Sequence, residues 1–258
     1  NDGSGRQLTD LIREGGFSTD GVFIDPSRPT TVKTRIIAHS QHVARIDRES
    51  RAPIDGGLAA KIVDFVGREL DGIDGVIFED YNKGVIGREL IGKITALASR
   101  RGIPVTADPK FENFFDFTGV TVFKPNKKEV EEALGRKLAS PGEIEDAGRT
   151  LLNKLQVENI LMTLGDQGMM LFERGGAVSH VPTKARNVAD VSGAGDTVIA
   201  TLTMALLGGA TIREASSLAN FSGGVVCGYV GIVPIDRDEL IRTVLAEINH
   251  RPADGGRS

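Results

Sequence analysis

From Asp55 onward the chain alternates short β-branched apolar runs with amphipathic stretches of helical period, and this alternation restricts the fold more than any other feature. Strands are predicted at Gly75–Glu79, Pro104–Ala107, Val120–Phe123 and Asn159–Thr163, and helices at Leu58–Leu70, Gly87–Arg101, Lys127–Leu134 and Glu143–Leu155. Parallel strands need a long crossover between them, and a crossover helix must bury its own apolar stripe. Such a pattern therefore gives a mainly parallel sheet with helices on both faces. Gly168–Phe172 and Ala177–Val181, joined by Glu173-Arg174-Gly175-Gly176, predict an antiparallel hairpin. Helices at Gly193–Leu207, Ile212–Gly228 and Asp238–Ile248 follow, then a polar tail from Arg251 to Ser258.

The first fifty residues read differently. Gly3–Glu14 predicts an amphipathic helix with Leu8, Leu11 and Ile12 on one face, and Gly21–Ile24 predicts a short strand. Thr31–Ala38 and Gln41–Asp47 partly alternate polar and apolar residues, which suits an antiparallel pair with one wet face. This hairpin is expected to form a small sheet of its own.

The chemistry is concentrated in the stretch Asn187 to Thr197, Asn-Val-Ala-Asp-Val-Ser-Gly-Ala-Gly-Asp-Thr. The uncharged run from Thr197 to Ile212 is too short for a bilayer, which takes about 20 apolar residues, and reads as a buried helix. Gly193-Ala194-Gly195-Asp196 form its first turn. Small residues there let a ligand approach the backbone, and the free N–H groups and positive dipole end favour an anion. A carboxylate beside an anion cradle repels a phosphate unless it has a task, and accepting the proton of an attacking hydroxyl is such a task. A glycine turn before a core helix, with Asp196 as an ordinary N-terminal charge, would account for the same residues. A Walker A loop is excluded because Gly195 is followed by Asp196 and Thr197 rather than Lys and Ser/Thr. A dinucleotide fingerprint is excluded because Val198 stands where its third glycine or alanine belongs.

Composition narrows the class. The net charge of −4 argues against a nucleic-acid partner, whose binding proteins are usually basic. The sequence shows neither a long apolar span nor a signal-type leader, so a soluble, cytoplasmic protein with no membrane partner is expected. Cys227 is the single cysteine, in an apolar stretch, and reads as a small core residue. The four histidines show no metal-ligand spacing.

In open parallel sheets ligands gather at the carboxyl ends of strands. Three predicted strand ends carry charged turns: Asp80-Tyr81-Asn82-Lys83-Gly84, Asp108-Pro109-Lys110 and Lys124-Pro125-Asn126-Lys127-Lys128-Glu129. Each alone could be a solvated loop. Together, on the side of the Gly-Ala-Gly-Asp turn, they supply the basic groups and the carboxylate that a polyphosphate with Mg²⁺ requires.

Asp190-Val191-Ser192-Gly193-Ala194-Gly195-Asp196 resembles the second signature of the pfkB (ribokinase-like) carbohydrate kinases. The resemblance covers nearly the whole chain and implies a ribokinase-like three-layer α/β sandwich with a mainly parallel sheet and a small β lid at about 29–48. It implies that residues 1–258 are one kinase unit. By the same resemblance Asp196 is the catalytic base, and Gly193, Ala194 and Gly195 donate N–H groups to the transferring phosphate. Asn126-Lys127-Lys128-Glu129 resembles the family's Asn-x-x-Glu motif, with Glu129 ordering Mg²⁺ through water. Thr163, Gly165 and Gly168 match the Thr-x-Gly-x-x-Gly turn along the ATP phosphates, and Asn220 falls near the adenine position. Asp190, which opens the signature, goes with this nucleotide-binding set.

Within the family the likeness is greatest to the heptose 7-phosphate kinases of lipopolysaccharide-precursor synthesis. It is carried by Pro29 to His39, Arg45-Ile46-Asp47 and the three charged turns. A sugar phosphate would give Lys33, Arg35 and Lys83 a charge to neutralise, with Asp80, Asp108 and Lys110 completing the substrate set. Other acceptors, such as ribose, fructose or a nucleoside, and a catalytically silent nucleotide-binding relative remain open at this point. Family members begin with a strand and helix that precede residue 1, so the chain reads as shortened at its N-terminus. The bifunctional heptose enzymes carry a further nucleotidyltransferase unit whose His-x-x-His signature does not occur here, so only the kinase step is assigned. Lid hairpins of the family often pair between subunits, which implies a homodimer.

Overall fold

Helix starts are set by local chemistry. In the computed structural model, which describes residues 1–38, 41–183 and 188–250, Asp2, Asp55, Asn126, Ser140 and Thr211 each accept backbone N–H bonds of the turn they open. At Asn126, Ser140 and Thr211 a glutamate three residues on returns the bond, completing a capping box. The helices so delimited are α1 (Gly3–Glu14), α2 (Gly56–Glu69), α3 (Arg88–Arg100), α4 (Lys127–Leu134), α5 (Pro141–Leu155), α6 (Ala194–Leu207), α7 (Ile212–Val226) and α8 (Arg237–His250). The strands are β1 (Val32–Ala38), β2 (Gln41–Arg48), β3 (Val76–Glu79), β4 (Val105–Asp108), β5 (Val122–Phe123), β6 (Asn159–Thr163), β7 (Met169–Glu173) and β8 (Val178–Val181).

Six strands form one sheet in the order β3-β4-β5-β6-β7-β8, and β1 and β2 form a separate antiparallel pair. β3 to β6 run parallel, β7 runs antiparallel to β6, and β8 pairs antiparallel with β7 as the hairpin spacing predicts. Alternation along the strands builds two cores. Phe123, Ile160, Met162 and Phe172 join one with α3 and α5, while Val122, Leu161, Met169 and Leu171 join the other with α6 and α7. The sheet is therefore the middle of three layers, and this is the ribokinase-like α/β fold.

Two expectations change. Gly21–Ile24 is not a strand: Gly21 lies in a turn and 22–25 are irregular. Its apolar residues are used in side-chain packing, with the Phe23 ring edge-on to Phe65 of α2 at 5.9 Å. The predicted strand at Val120–Phe123 shrinks to Val122–Phe123, although Val120 is fully buried beside it. No helix among the described residues is long and apolar enough to cross a membrane.

Candidate active site

Asp196 stands in the first turn of α6 with its side chain exposed. Gly193 is the N-cap in the left-handed region (φ 79°), a conformation that glycine adopts at little cost. The loop before it is held by Asp190, whose Oδ1 accepts from the Ser192 N–H (2.9 Å) and Oδ2 from the Gly231 N–H (3.1 Å). These bonds hold the Asp190 carboxyl below its usual range. The Cys227 carbonyl completes the bracket by accepting from Ala189 and Asp190. Cys227 is only half-buried, not a full core residue, and burial followed by the nearby Asp190 pushes its thiol pKa up.

The amides of this turn are not equivalent. Ala194 donates to the Val191 carbonyl at 3.3 Å, so it is partly used. Those of Gly193, Gly195 and Asp196 have no acceptor among the described residues. They are the orphan donors of a helix start, available to an anion.

Three strand ends converge on this turn. Asp108, closing β4, meets Lys124 after β5 at 2.7 Å, and Lys110 reaches Asp108 at 3.5 Å and Glu129 at 2.7 Å. A Cβ on Gly195 would lie 3.4 Å from Asp108 Oδ2 and 3.6 Å from Lys124 Nζ, so the ion pair sits directly against the helix start. Burial opposes the charge on Lys110, but Asp108 and Glu129 outweigh it and raise its pKa. Glu79, Asp108 and Asp196 bring carboxylate oxygens within 4.8 Å of one another. Burial, then repulsion from Asp108 and Asp196, pushes Glu79 up to about 8, so it holds a proton at neutral pH. Lys110 and Lys124 set positive charge against these carboxylates. Tyr81 donates its hydroxyl to Asp196 Oδ2 at 2.9 Å.

Neighbouring loops are stitched to the same edge. Asn126 bridges to Thr163, whose N–H donates to the Pro125 carbonyl at 3.0 Å. Gly165 and Gly168 have φ of 66° and 86°, and a Cβ on Gly168 would strike the Val181 carbonyl. Glu129 accepts from Lys110 and, as the capping-box residue, from the Asn126 N–H (2.8 Å). Lys127 is half-exposed and Lys128 exposed at the start of α4.

The remaining residues have structural partners of their own. Asn220 donates its side-chain amide to the Pro182 carbonyl at 2.6 Å, tying α7 to the end of β8. Asp80 is buried, with Oδ1 accepting from the Asn82 N–H and Oδ2 from Asn113. Lys83 pairs with Glu49 at 2.6 Å. Lys33 and Arg35 project from β1 on the face of their cross-strand partners Asp47 and Arg45, and no contact among the described residues joins them to Asp196. Glu79, Tyr81 and Lys124 were missed as site residues from sequence. Their position at strand ends was legible, their convergence on Asp196 was not.

The chain belongs to the pfkB family carbohydrate kinases, whose sequence profile matches residues 1–236. It is 37% identical over 253 residues to the "Bifunctional protein HldE" of Trichlorobacter lovleyi, covering 98% of this chain and 51% of that protein. The protein of the same name in Geobacter sulfurreducens is 40% identical over 240 residues, covering 93% of this chain and 49% of its own length. The chain thus spans about half the length of these relatives. Among solved structures it superposes on phosphofructokinase-2 from Escherichia coli in complex with potassium with a TM-score of 0.79 at 17% identity, covering 95% of this chain and 79% of that one. Ribokinase from Arabidopsis thaliana, complexed with ribose and ATP, gives 0.74 at 19% identity over 95% of this chain and 79% of that one.

Proposed function

We propose that the protein transfers the γ-phosphoryl group of ATP to a sugar hydroxyl, and that the acceptor is D-glycero-D-manno-heptose 7-phosphate, phosphorylated at its anomeric position. The observation that carries the reading is the exposed Asp196 carboxylate beside the amides of Gly193 and Gly195, which have no partner among the described residues. Asp196 takes the hydroxyl proton, and the amides with the α6 dipole hold the charge that develops on the moving phosphoryl group. Lys110 and Lys124 add positive charge at the same edge, held in place by Asp108. ATP brings Mg²⁺ as its counter-ion. Each Glu129 oxygen has one protein partner and a lone pair left for a metal-bound water. The loop of Asn126, Lys127 and Lys128 and the turn of Thr163, Gly165 and Gly168 receive the nucleotide phosphates, with Asn220 towards the base.

The sugar phosphate is taken by the β1–β2 lid. Lys33, Arg35 and Arg45 share one face of that hairpin, and Lys83 lies at its base with Glu49 from the end of β2. The opposite face carries exposed Ile36 and Ile46, which suits a lid-to-lid homodimer. The reading places the enzyme in the cytoplasm, in lipopolysaccharide-precursor synthesis.

An ADP-release assay over a panel of sugars and sugar phosphates tests the assignment. Heptose 7-phosphate should outperform free sugars, and Asp196→Asn should lower turnover by about 10²–10⁴-fold, the usual contribution of a general base. Undiminished turnover in that variant removes the mechanism.

A further inference from the structure

Tyr81 is used by nothing in the mechanism above, yet its hydroxyl contacts the base directly. An ionised carboxylate can only accept, so the Tyr81 O–H is the donor in the 2.9 Å bond to Asp196 Oδ2. The two residues are 115 positions apart, and the contact exists because β3 ends and α6 begins at the same edge. The backbone that carries Tyr81 is held firmly. Asp80 donates its N–H to the Asp108 carbonyl at 3.1 Å, and its side chain accepts from Asn82 and Asn113 at 2.8 and 2.9 Å. Asn82 has φ 53°, and Gly84 has φ 74° with no room for a Cβ against the Ala52 carbonyl. The ring itself is 49% exposed, so packing alone does not place the hydroxyl; the bond to Asp196 does.

We propose that Tyr81 is a positioning residue for the base, holding Asp196 Oδ2 so that Oδ1 is left facing the acceptor hydroxyl. The inference rests on the reading of Asp196 as that base. The charged groups around the contact are Glu79 from β3, Asp108 and Lys110 from the end of β4, and Lys124 after β5. Burial and then the bond to Asp196 raise the phenol pKa above its ordinary value, so Tyr81 remains a donor throughout the working range. Without it, Asp196 is left free to rotate.

The sequence allows a test free of substrate, because the chain has two tyrosines and no tryptophan. Tyr229 bonds Glu239 outside the site, so in a Tyr229→Phe chain the phenol emission reports Tyr81 alone. Hydrogen bonding to a carboxylate quenches that emission, and Asp196→Asn should raise it at neutral pH. In kinetics, Tyr81→Phe should lower kcat about tenfold, with KM for ATP and sugar phosphate unchanged, the signature of a transition-state effect. Its melting temperature should not change. Added to Asp196→Asn, Tyr81→Phe should cost nothing further, since both act through one carboxylate.

Emission insensitive to Asp196→Asn, a Tyr81→Phe enzyme with wild-type kcat, or a loss confined to KM would each overturn the proposal. If Asp196→Asn turns over normally, the base assignment itself falls. If that variant is inactive while Tyr81→Phe behaves as wild type, this inference alone falls.

Discussion

Asp108 Oδ2 and Lys124 Nζ lie 2.7 Å apart with side chains only 6% and 3% exposed, pressed against the backbone of Gly195. The pair links the ends of two parallel strands to the helix start that carries the base. Its burial gives it leverage on both stability and turnover.

Removing one member leaves a buried charge. Lys124→Met should destabilise the fold by about 3 kcal/mol, the low end for a broken buried pair, because Lys110 still reaches Asp108. Adding Asp108→Leu should recover most of that loss, since two apolar groups leave no orphaned charge. Urea denaturation of the single and double variants measures both outcomes, and phosphoryl transfer should stay low in the double variant.

Gly195→Ala separates folding from function. A Cβ there meets Asp108 and Lys124 only at ordinary contact distance, and alanine is the better helix former by up to about 1 kcal/mol. The melting temperature should hold or rise. Turnover should fall by an order of magnitude or more, because the methyl group fills the approach to the free amides. Thermal scans and an ADP-release assay decide it.

Glu79 predicts a pH dependence with a definite sign. Its folded pKa of about 8 lies above the ordinary 4.5, so the native state keeps a proton that the unfolded chain loses. Its effect is absent below the unfolded value and becomes a loss of stability as pH rises from there through about 8. Glu79→Gln should therefore match wild type at pH 4 and exceed it at pH 9, by about 1–2 kcal/mol after solvent screening. Denaturation curves across that range give the crossing.

Asp2 has the opposite sign. Its Oδ1 accepts from Gly5 to cap α1, and its Oδ2 accepts from the Thr30 N–H and Arg48 at 3.0 Å, bracing the base of the β1–β2 hairpin. The Gly5 N–H first, then Thr30, lowers its pKa from 3.8 to about 2. The stability it contributes is present above pH 3.8 and is lost as pH falls through 2. Asp2→Ala should speed proteolysis within α1 at neutral pH and lose its difference from wild type near pH 2, read by hydrogen exchange of the α1 amides.

Much of the molecule was legible before any coordinates. Helices α4, α5 and α7 stand where the alternation of the sequence predicts helices, and each opens on a capping box in the structure. Apolar runs at β3, β4 and β6 have the length and branching of buried strands. Gly21–Ile24 has the same local look and fails, because a strand exists only where a neighbour offers its backbone. Phe23 found the Phe65 ring instead.

The sequence by itself determined that an acidic residue would stand in the first turn of a glycine-started helix, because Gly193 to Asp196 are consecutive and helix geometry is local. It determined as well that charged turns would end three strands. Only the tertiary structure decided that Glu79, Tyr81, Asp108 and Lys124 share one space with Asp196, and that Glu79 therefore keeps its proton. Those relations depend on strand order and register, and on charges desolvated together, quantities that no window of neighbouring residues contains.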